Sequence, residues 1–227
     1  GQPHTANLWR NGGAYAEYAT APETRLELKP DLLTFEQAGA VPTSGSLAVQ
    51  AVRDEGRTRS GQSILINGAG GAVGTFAVQL VKAYGAKVTG VDAPGKLDVL
   101  RSIGADRVVD YTREDFTQSG ERYDLIIDIA GTRPWSASRR ALSPEGTYVL
   151  IGHDQYGGSG DRWFGSLGRF FKLMVVSPFV SQLHPFRGAK DPGDRLVVMK
   201  ELIEAGKITP VIDRTFPLTG VREAIRF

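Results

Sequence analysis

The 227-residue chain contains no cysteine, which excludes a disulfide scaffold, a thiolate nucleophile and a thiolate-held zinc. It has almost no excess of one charge: 27 Lys+Arg against 25 Asp+Glu leave a net +2, with the signs interspersed. No basic stripe is available for a nucleic-acid backbone, and no polybasic anchor for an anionic membrane. No apolar run approaches the ~18 residues of a membrane span. Histidine is sparse, and His4, His153 and His184 lack metal-ligand spacing. No charged-then-apolar signal segment opens the chain. What remains is ordinary: 41% hydrophobic and 23% charged residues, with 28 Gly and 12 Pro that imply many tight connections. The expectation is a cytoplasmic α/β protein with neither nucleic acid nor membrane as partner.

The ends carry a further expectation. The chain starts at Gly1 without Met, and it stops at Phe227 inside a helical pattern. Thr219 is a candidate N-cap for that pattern, yet no Gly or Asn closes it. Both ends read as cut, as in an internal piece of a longer protein.

Residues 12–29 alternate small or aromatic with polar residues and read as two or three short antiparallel strands. Pro30 and Asp31 form a turn, and Thr34 caps a short helix through Ala38 up to Pro42. From Thr43 a regular alternation begins. Leu47, Ala48, Ala51 and Val52 mark a helix ending at Gly56, and Ser63–Ile66 is a short apolar strand. Val73, Phe76, Ala77, Leu80, Val81 and Tyr84 form an amphipathic helix closed by Gly85. A strand at Lys87–Val91 and a helix through Leu97, Leu100 and Ile103 follow. Further strands are expected at Val108-Val109, Leu125–Ile127 and Tyr148–Ile151, with helical stretches between them. Such alternation predicts a parallel sheet covered on both faces. Beyond it lie a glycine-rich loop at 153–165, an apolar helix around Phe170–Val175 and an edge strand near Pro178–Val180. A last helix carries Leu196, Met199, Leu202 and Ile203 and ends at Gly206, and Thr209–Leu218 is extended. No internal repeat is visible.

The chemistry concentrates where Ile64–Asn67 runs into Gly68-Ala69-Gly70-Gly71-Ala72-Val73-Gly74. Strand, glycine turn and helix together aim free backbone N–H groups and the positive helix end at a phosphate. Against the pattern G-x-G-x-x-G, residues 69–74 have Ala in the first place, and Gly74 lets the helix pack closely on the strand. Asp92 ends the second strand, where a carboxylate accepts ribose hydroxyls, whereas Lys96 four residues on favours a 2′-phosphate. NADH and NADPH both stay open on these residues. His153, directly after a strand end, is either a cofactor-edge group or an ordinary loop histidine. Trp163, Phe164, Phe170 and Phe171 read as packing or interface residues rather than a substrate cage. There is no Gly-x-Ser-x-Gly elbow, no Gly-Lys-Ser/Thr phosphate loop, and no Tyr followed by Lys four residues later.

These residues resemble the medium-chain dehydrogenase/reductase family on its zinc-independent, quinone oxidoreductase-like side. The resemblance rests on Ala40-Val41-Pro42, GQSILINGAGGAVGTFAVQLVKAYGAKVTGVD, LDVLRSIGADRVVDYT, YDLIIDIAG, SPFVSQ and ELIEAGKITPVIDRTFPL. It implies an α/β fold: a Rossmann doubly wound parallel sheet at 43–185. Remnants of a barrel-like catalytic domain would flank it at 1–42 and, after a helix, within 186–227. It implies an NAD(P)H-dependent oxidoreductase that transfers hydride to a quinone or an α,β-unsaturated carbonyl without zinc. By position, Gly71, Ala72, Val73 and Gly74 would hold the pyrophosphate. Asp92 and Lys96 would lie near the adenosine ribose, with Tyr111 beside the adenine. Ala130, Gly131, Ile151 and Gly152 would line the nicotinamide side above Thr43 and Ser44. Leu47 stands where relatives often have Thr, and many relatives have a small or hydroxyl residue in place of Asp92. No proton donor is identified. A homodimer through the sheet edge near Phe170–Val180 is implied as well. The alternatives are a non-catalytic NAD(P)H-binding module or redox sensor, a zinc alcohol dehydrogenase with ligands elsewhere, and, more distantly, a methyltransferase.

Overall fold

The computed structural model describes residues 26–151 and 193–226, together with residues 15, 17, 18, 23, 180, 182 and 183. Thr34 opens helix α1 (Phe35–Val49) with a full capping box: Thr34 Oγ1 accepts the Gln37 N–H at 3.2 Å, and Gln37 Oε1 accepts the Thr34 N–H at 3.0 Å. The helix does not stop at Pro42 as the sequence predicts, and no break separates it from the Leu47–Gly56 pattern. Pro42 removes one backbone bond inside α1. Continuity is sustained instead by the buried stripe of Val41, Gly45, Ala48 and Val49. After Val49 the same helix widens into a π-helical segment, Gln50–Glu55, with Ala51 and Val52 fully buried.

From there the chain builds a five-stranded sheet: β1 (Ser63–Asn67), β2 (Lys87–Asp92), β3 (Arg107–Asp110), β4 (Tyr123–Asp128) and β5 (Leu142–Leu150). All neighbouring pairs are parallel and the spatial order is β3-β2-β1-β4-β5. Helix α2 (Ala72–Ala83) joins β1 to β2, α3 (Leu97–Ser102) joins β2 to β3, and α4 (Trp135–Ser138) precedes β5. Helix α5 (Gly193–Glu204) and a short α6 (Val221–Arg226) follow. Successive strand residues point to opposite faces, so β1 serves two cores. Ile64 and Ile66 pack with Phe76, Leu80, Val49, Met199 and Ile203, while Leu65 packs with Val91, Val109, Phe116, Ile126 and Tyr148. Each such fully buried aliphatic side chain contributes about 1.5–3 kcal/mol. This is the doubly wound parallel sheet that the alternation predicted, although β5 starts at Leu142 rather than at the expected Tyr148.

Two expectations, the helix between β3 and β4 and the cap at Thr219, are corrected, and two others find no strand among the described residues. The β3–β4 connection, residues 111–122, contains no helix. Its one large apolar anchor is Phe116, and two Asp-x-Thr turns satisfy its backbone: Asp110 Oδ1 accepts the Thr112 N–H and O–H, and Asp115 Oδ1 those of Thr117. Among the described residues of 12–29, none lies in a strand. Thr219 sits inside a 3₁₀ turn (Leu218–Gly220) rather than at a cap. The described flanks, up to residue 30 and from 193 to 226, contain no strand, so no barrel is seen there. The loop at 153–165, the apolar helix at 170–175 and the four aromatic residues there lie outside the described residues. Near the expected edge strand, Leu183 makes a parallel bridge to Tyr148 of β5.

A buried polar cluster ties the end of α1 to α5. The Arg195 guanidinium, 6% exposed, donates to Asp54 Oδ2 at 2.8 Å and to Gln50 Oε1 at 2.7 Å. Gln50 donates to Glu55 at 2.6 Å, and Arg53 pairs with Asp54 and Asp194. Burial pushes the Glu55 carboxyl above its usual range, against the bond from Gln50 and the charge of Arg195.

Candidate functional site

The strand order reverses direction between β1 and β4, and a crevice opens there at the carboxyl ends of the strands. Its volume is about 490 Å³. Asn67, Gly68 and Gly71 form one wall, Val91, Asp92 and Lys96 the next, and Ala130, Thr132 and Arg133 the opposite one. Tyr111, Glu114 and Phe116 close the β3 side.

The glycine turn is shaped by contacts at Gly68 and Gly74. Gly68 adopts φ +87°, where a side chain is strained, and a Cβ there would meet Ala130 N at 3.1 Å. It makes the tight turn, so Ala69 in the pattern's first glycine place is tolerated, itself fully buried. A Cβ on Gly74 would lie 2.4 Å from the carbonyl oxygens of both Gly68 and Ala69. That contact seats the start of α2 on the end of β1. At Gly71, by contrast, a Cβ would meet only Gly68 O, at 3.5 Å.

Gly71 is the N-cap of α2 and offers no capping side chain, and the first helical bond runs from the Thr75 N–H to Gly71 O. The N–H groups of Ala72, Val73 and Gly74 are thereby left to a ligand, at the positive end of a 12-residue helix. An anionic diphosphate fits this cradle.

Asp92 is tied to the same turn. Its Oδ2 accepts the Gly70 N–H at 2.7 Å and its Oδ1 the Ala93 N–H at 2.8 Å. The Lys96 stem lies under Gly70, where a Cβ would meet Lys96 Cδ at 2.7 Å. The exposed Lys96 ammonium makes no hydrogen bond or ion pair with the described residues. Across the crevice, Glu114 pairs with Arg107 at 2.6 Å, and Arg133 lies 3.6 Å from Asp115.

Of the residues expected from the sequence, the crevice brings together Gly71, Asp92, Lys96, Tyr111 and Ala130, with Ala72, Val73 and Gly74 at the adjoining helix start. Gly131 is buried just behind Ala130 and donates its N–H to Asp128 Oδ1 at 2.8 Å. Ile151 follows β5 and donates to Asp128 O. Ile151 and the α1 residues Thr43 and Ser44 do not line the crevice. Gly152 and His153 lie outside the described residues. Asn67, Val91, Glu114, Phe116, Thr132 and Arg133 also line the crevice, though the sequence assigns them no site role, and Gly68, which opens the expected glycine loop, lines it too. Gly68 alone had a local signal, being the glycine that ends the apolar strand.

Residues 103–227, more than half of the chain, match the family model described as zinc-binding dehydrogenase. The chain belongs to this family. It is a member of the medium-chain dehydrogenase/reductase superfamily, in agreement with its motifs. It is 30% identical over 246 residues to the mitochondrial NAD(P)H oxidoreductase RTN4IP1 of Mus musculus, covering 95% of this chain and 58% of that protein. It is 33% identical over 225 residues to the chloroplastic NADPH-dependent alkenal/one oxidoreductase of Arabidopsis thaliana, covering 95% of this chain and 50% of that protein. Among solved structures, an NAD-dependent alcohol dehydrogenase superposes with a TM-score of 0.76 at 29% identity, over 94% of this chain and 61% of that one. The chain thus spans little more than half the length of these relatives.

The family's descriptive name does not extend to a metal site among the described residues. They contain no group of three or more His, Cys, Asp or Glu placed to hold an ion. They do not fit a zinc. The expected cytoplasmic location is overturned by the comparison: the murine relative is mitochondrial and the Arabidopsis one chloroplastic. No helix among the described residues is long and apolar enough to cross a membrane.

Proposed function

We propose that the chain is the dinucleotide-binding part of an NAD(P)H-dependent oxidoreductase that acts without zinc. Its substrate is a quinone or another α,β-unsaturated carbonyl, a quinone being itself a conjugated enedione. The observation that carries this reading is the uncapped start of α2 opening into the crevice at the strand-order reversal. The Arabidopsis relative, an NADPH-dependent alkenal/one oxidoreductase, supports the cofactor class and the enone substrate, and the murine NAD(P)H oxidoreductase supports the cofactor class.

When bound, a reduced nicotinamide would supply a hydride from C4 to the β-carbon of the acceptor, and the resulting enolate would take its proton from solvent. The chain's part is to bind and orient. The N–H groups of Ala72, Val73 and Gly74 take the pyrophosphate, and Gly71 leaves room for it. Asp92 holds the turn through Gly70 and keeps lone pairs for ribose hydroxyls, while the Lys96 ammonium is available to a 2′-phosphate. Tyr111 is assigned to the adenine. Ala130, Gly131, Ile151, Gly152 and His153 are assigned to the nicotinamide side, with Thr43 and Ser44 beneath it. The dinucleotide-binding domain is placed at 43–185, with 1–42 and 186–227 as parts of the barrel-like catalytic domain. Helix α1 crosses the first boundary and so serves as the connection. Assembly as a homodimer through the region of Phe170–Val180 completes the proposal, and light scattering checks it.

Calorimetric titration of the chain with NADH and, separately, with NADPH tests the central claim. Saturable one-to-one binding of either supports it. Binding of neither overturns the dinucleotide site in this chain.

A further inference from the structure

Behind the crevice lies a carboxylate that the proposed chemistry does not use. Asp128, the last residue of β4, is fully buried. Its Oδ1 accepts two bonds at 2.8 Å, one from Asn67 Nδ2 at the end of β1 and one from the Gly131 N–H. Its Oδ2 accepts the Tyr148 O–H of β5 at 2.5 Å. The backbone repeats the same linkage: Asn67 O accepts the N–H groups of Ile129 and Ala130, and Asp128 O accepts the Ile151 N–H. The Tyr148 ring is itself held by an edge-on contact with Trp135, centroids 5.2 Å apart.

A carboxylate is costly to bury unless its oxygens are hydrogen-bonded, so it belongs where those bonds do something an apolar side chain cannot. Here they join the ends of three adjacent strands at the point where the order reverses. The turn held this way includes Gly131 at φ +64°, and its neighbours Ala130 and Thr132 form the crevice wall opposite the glycine turn. Asn67, held by the same carboxylate, lines the crevice between them.

We infer that Asp128 is the positioning residue of the crevice, fixing the distance between the glycine turn and the Ala130–Thr132 wall without touching the ligand. The inference deepens the proposed dinucleotide site and rests on it. Asp128→Ala strands three donors and frees the wall. Asp128→Asn keeps the shape: its oxygen accepts from Asn67 and Gly131, and its amide donates to the Tyr148 oxygen. The test compares wild type with Asp128→Ala, Asp128→Asn and the milder Tyr148→Phe by titration with NADH and NADPH, together with amide hydrogen exchange.

The expected result is at least tenfold weaker dinucleotide binding in Asp128→Ala, a few-fold loss in Tyr148→Phe, and recovery to near wild type in Asp128→Asn. Exchange should accelerate across 129–133 while β2 and β3 keep their protection. Should Asp128→Ala fail to fold, the graded pair of Asp128→Asn and Tyr148→Phe still decides. Wild-type affinity and exchange in Tyr148→Phe and Asp128→Ala overturn the inference, as does an Asp128→Asn variant as weak as Asp128→Ala. If the wild type binds neither dinucleotide, it is the proposed function that falls, and the exchange comparison alone judges whether Asp128 holds the wall.

Discussion

A methyl group added at Gly74 would press on two carbonyl oxygens at 2.4 Å, whereas one added at Gly71 would make only an ordinary van der Waals contact with Gly68 O at 3.5 Å. The two glycines, three residues apart, therefore predict opposite variants. Gly74→Ala should destabilise the fold by about 1–3 kcal/mol, read as a lower denaturation midpoint. Gly71→Val should leave the midpoint within about 0.5 kcal/mol of wild type, its backbone being extended there at φ −84° and ψ 174°. Its side chain fills the cradle, and at least a tenfold loss of NADH or NADPH affinity is expected by calorimetry. At Asp92 the readout is a ratio. Asp92→Ser removes the negative charge beside Lys96, so the NADPH-to-NADH affinity ratio should rise by about tenfold. Both affinities should also weaken, because the Gly70 N–H loses its 2.7 Å bond to the carboxylate. An unchanged ratio would mean that Asp92 serves the turn alone.

At the scale of elements, the capping box at Thr34 isolates one contribution. Thr34→Ala should cost about 1 kcal/mol, measured by chemical denaturation, through loss of the bond to the Gln37 N–H. The β-α-β segments were legible in the sequence because each begins with a short apolar run, followed by a three-and-four spacing that ends at Gly85 or Gly104. Gly71, Asp92 and Lys96 were legible because they lie at or just beyond strand ends, whereas Tyr111 rested on the family resemblance alone. The continuity of α1 was not. Pro42 is a strong local stop signal, and the force that overrides it is packing of Val41, Gly45 and Ala48 against elements remote in sequence. Asn67, Thr132 and Arg133 escaped for a related reason: they meet only because β1 pairs with β4, and no local pattern records that pairing. The helix expected between β3 and β4 was an extrapolation from the alternation, while residues 111–122 have too few apolar side chains to cover a helix face.

For the whole molecule, acid stability follows from carboxylates held below their ordinary range. Asp106 is the clearest: desolvation opposes the shift, but the Lys82 ion pair at 2.8 Å and the Val88 N–H outweigh it. A depressed folded-state value adds stability above the ordinary 3.8 and loses it as pH falls through the folded value. Asp115 shifts the same way: desolvation opposes, and the N–H and O–H of Thr117 prevail. Thermal melts from pH 7 down to pH 2 should show Asp106→Asn less stable than wild type at neutrality, with the gap closing below pH 3.8. The order of the strands has a temporal consequence as well. β1 and β2 are joined by a single helix, so their pairing closes a short loop, whereas Asn67 and Asp128 meet across 61 residues. Loop-closure entropy makes the second event the later one. The crevice lies between those late partners, so a folding chain has no binding site until its last strands dock. A dinucleotide should then slow unfolding and leave the rate of folding unchanged.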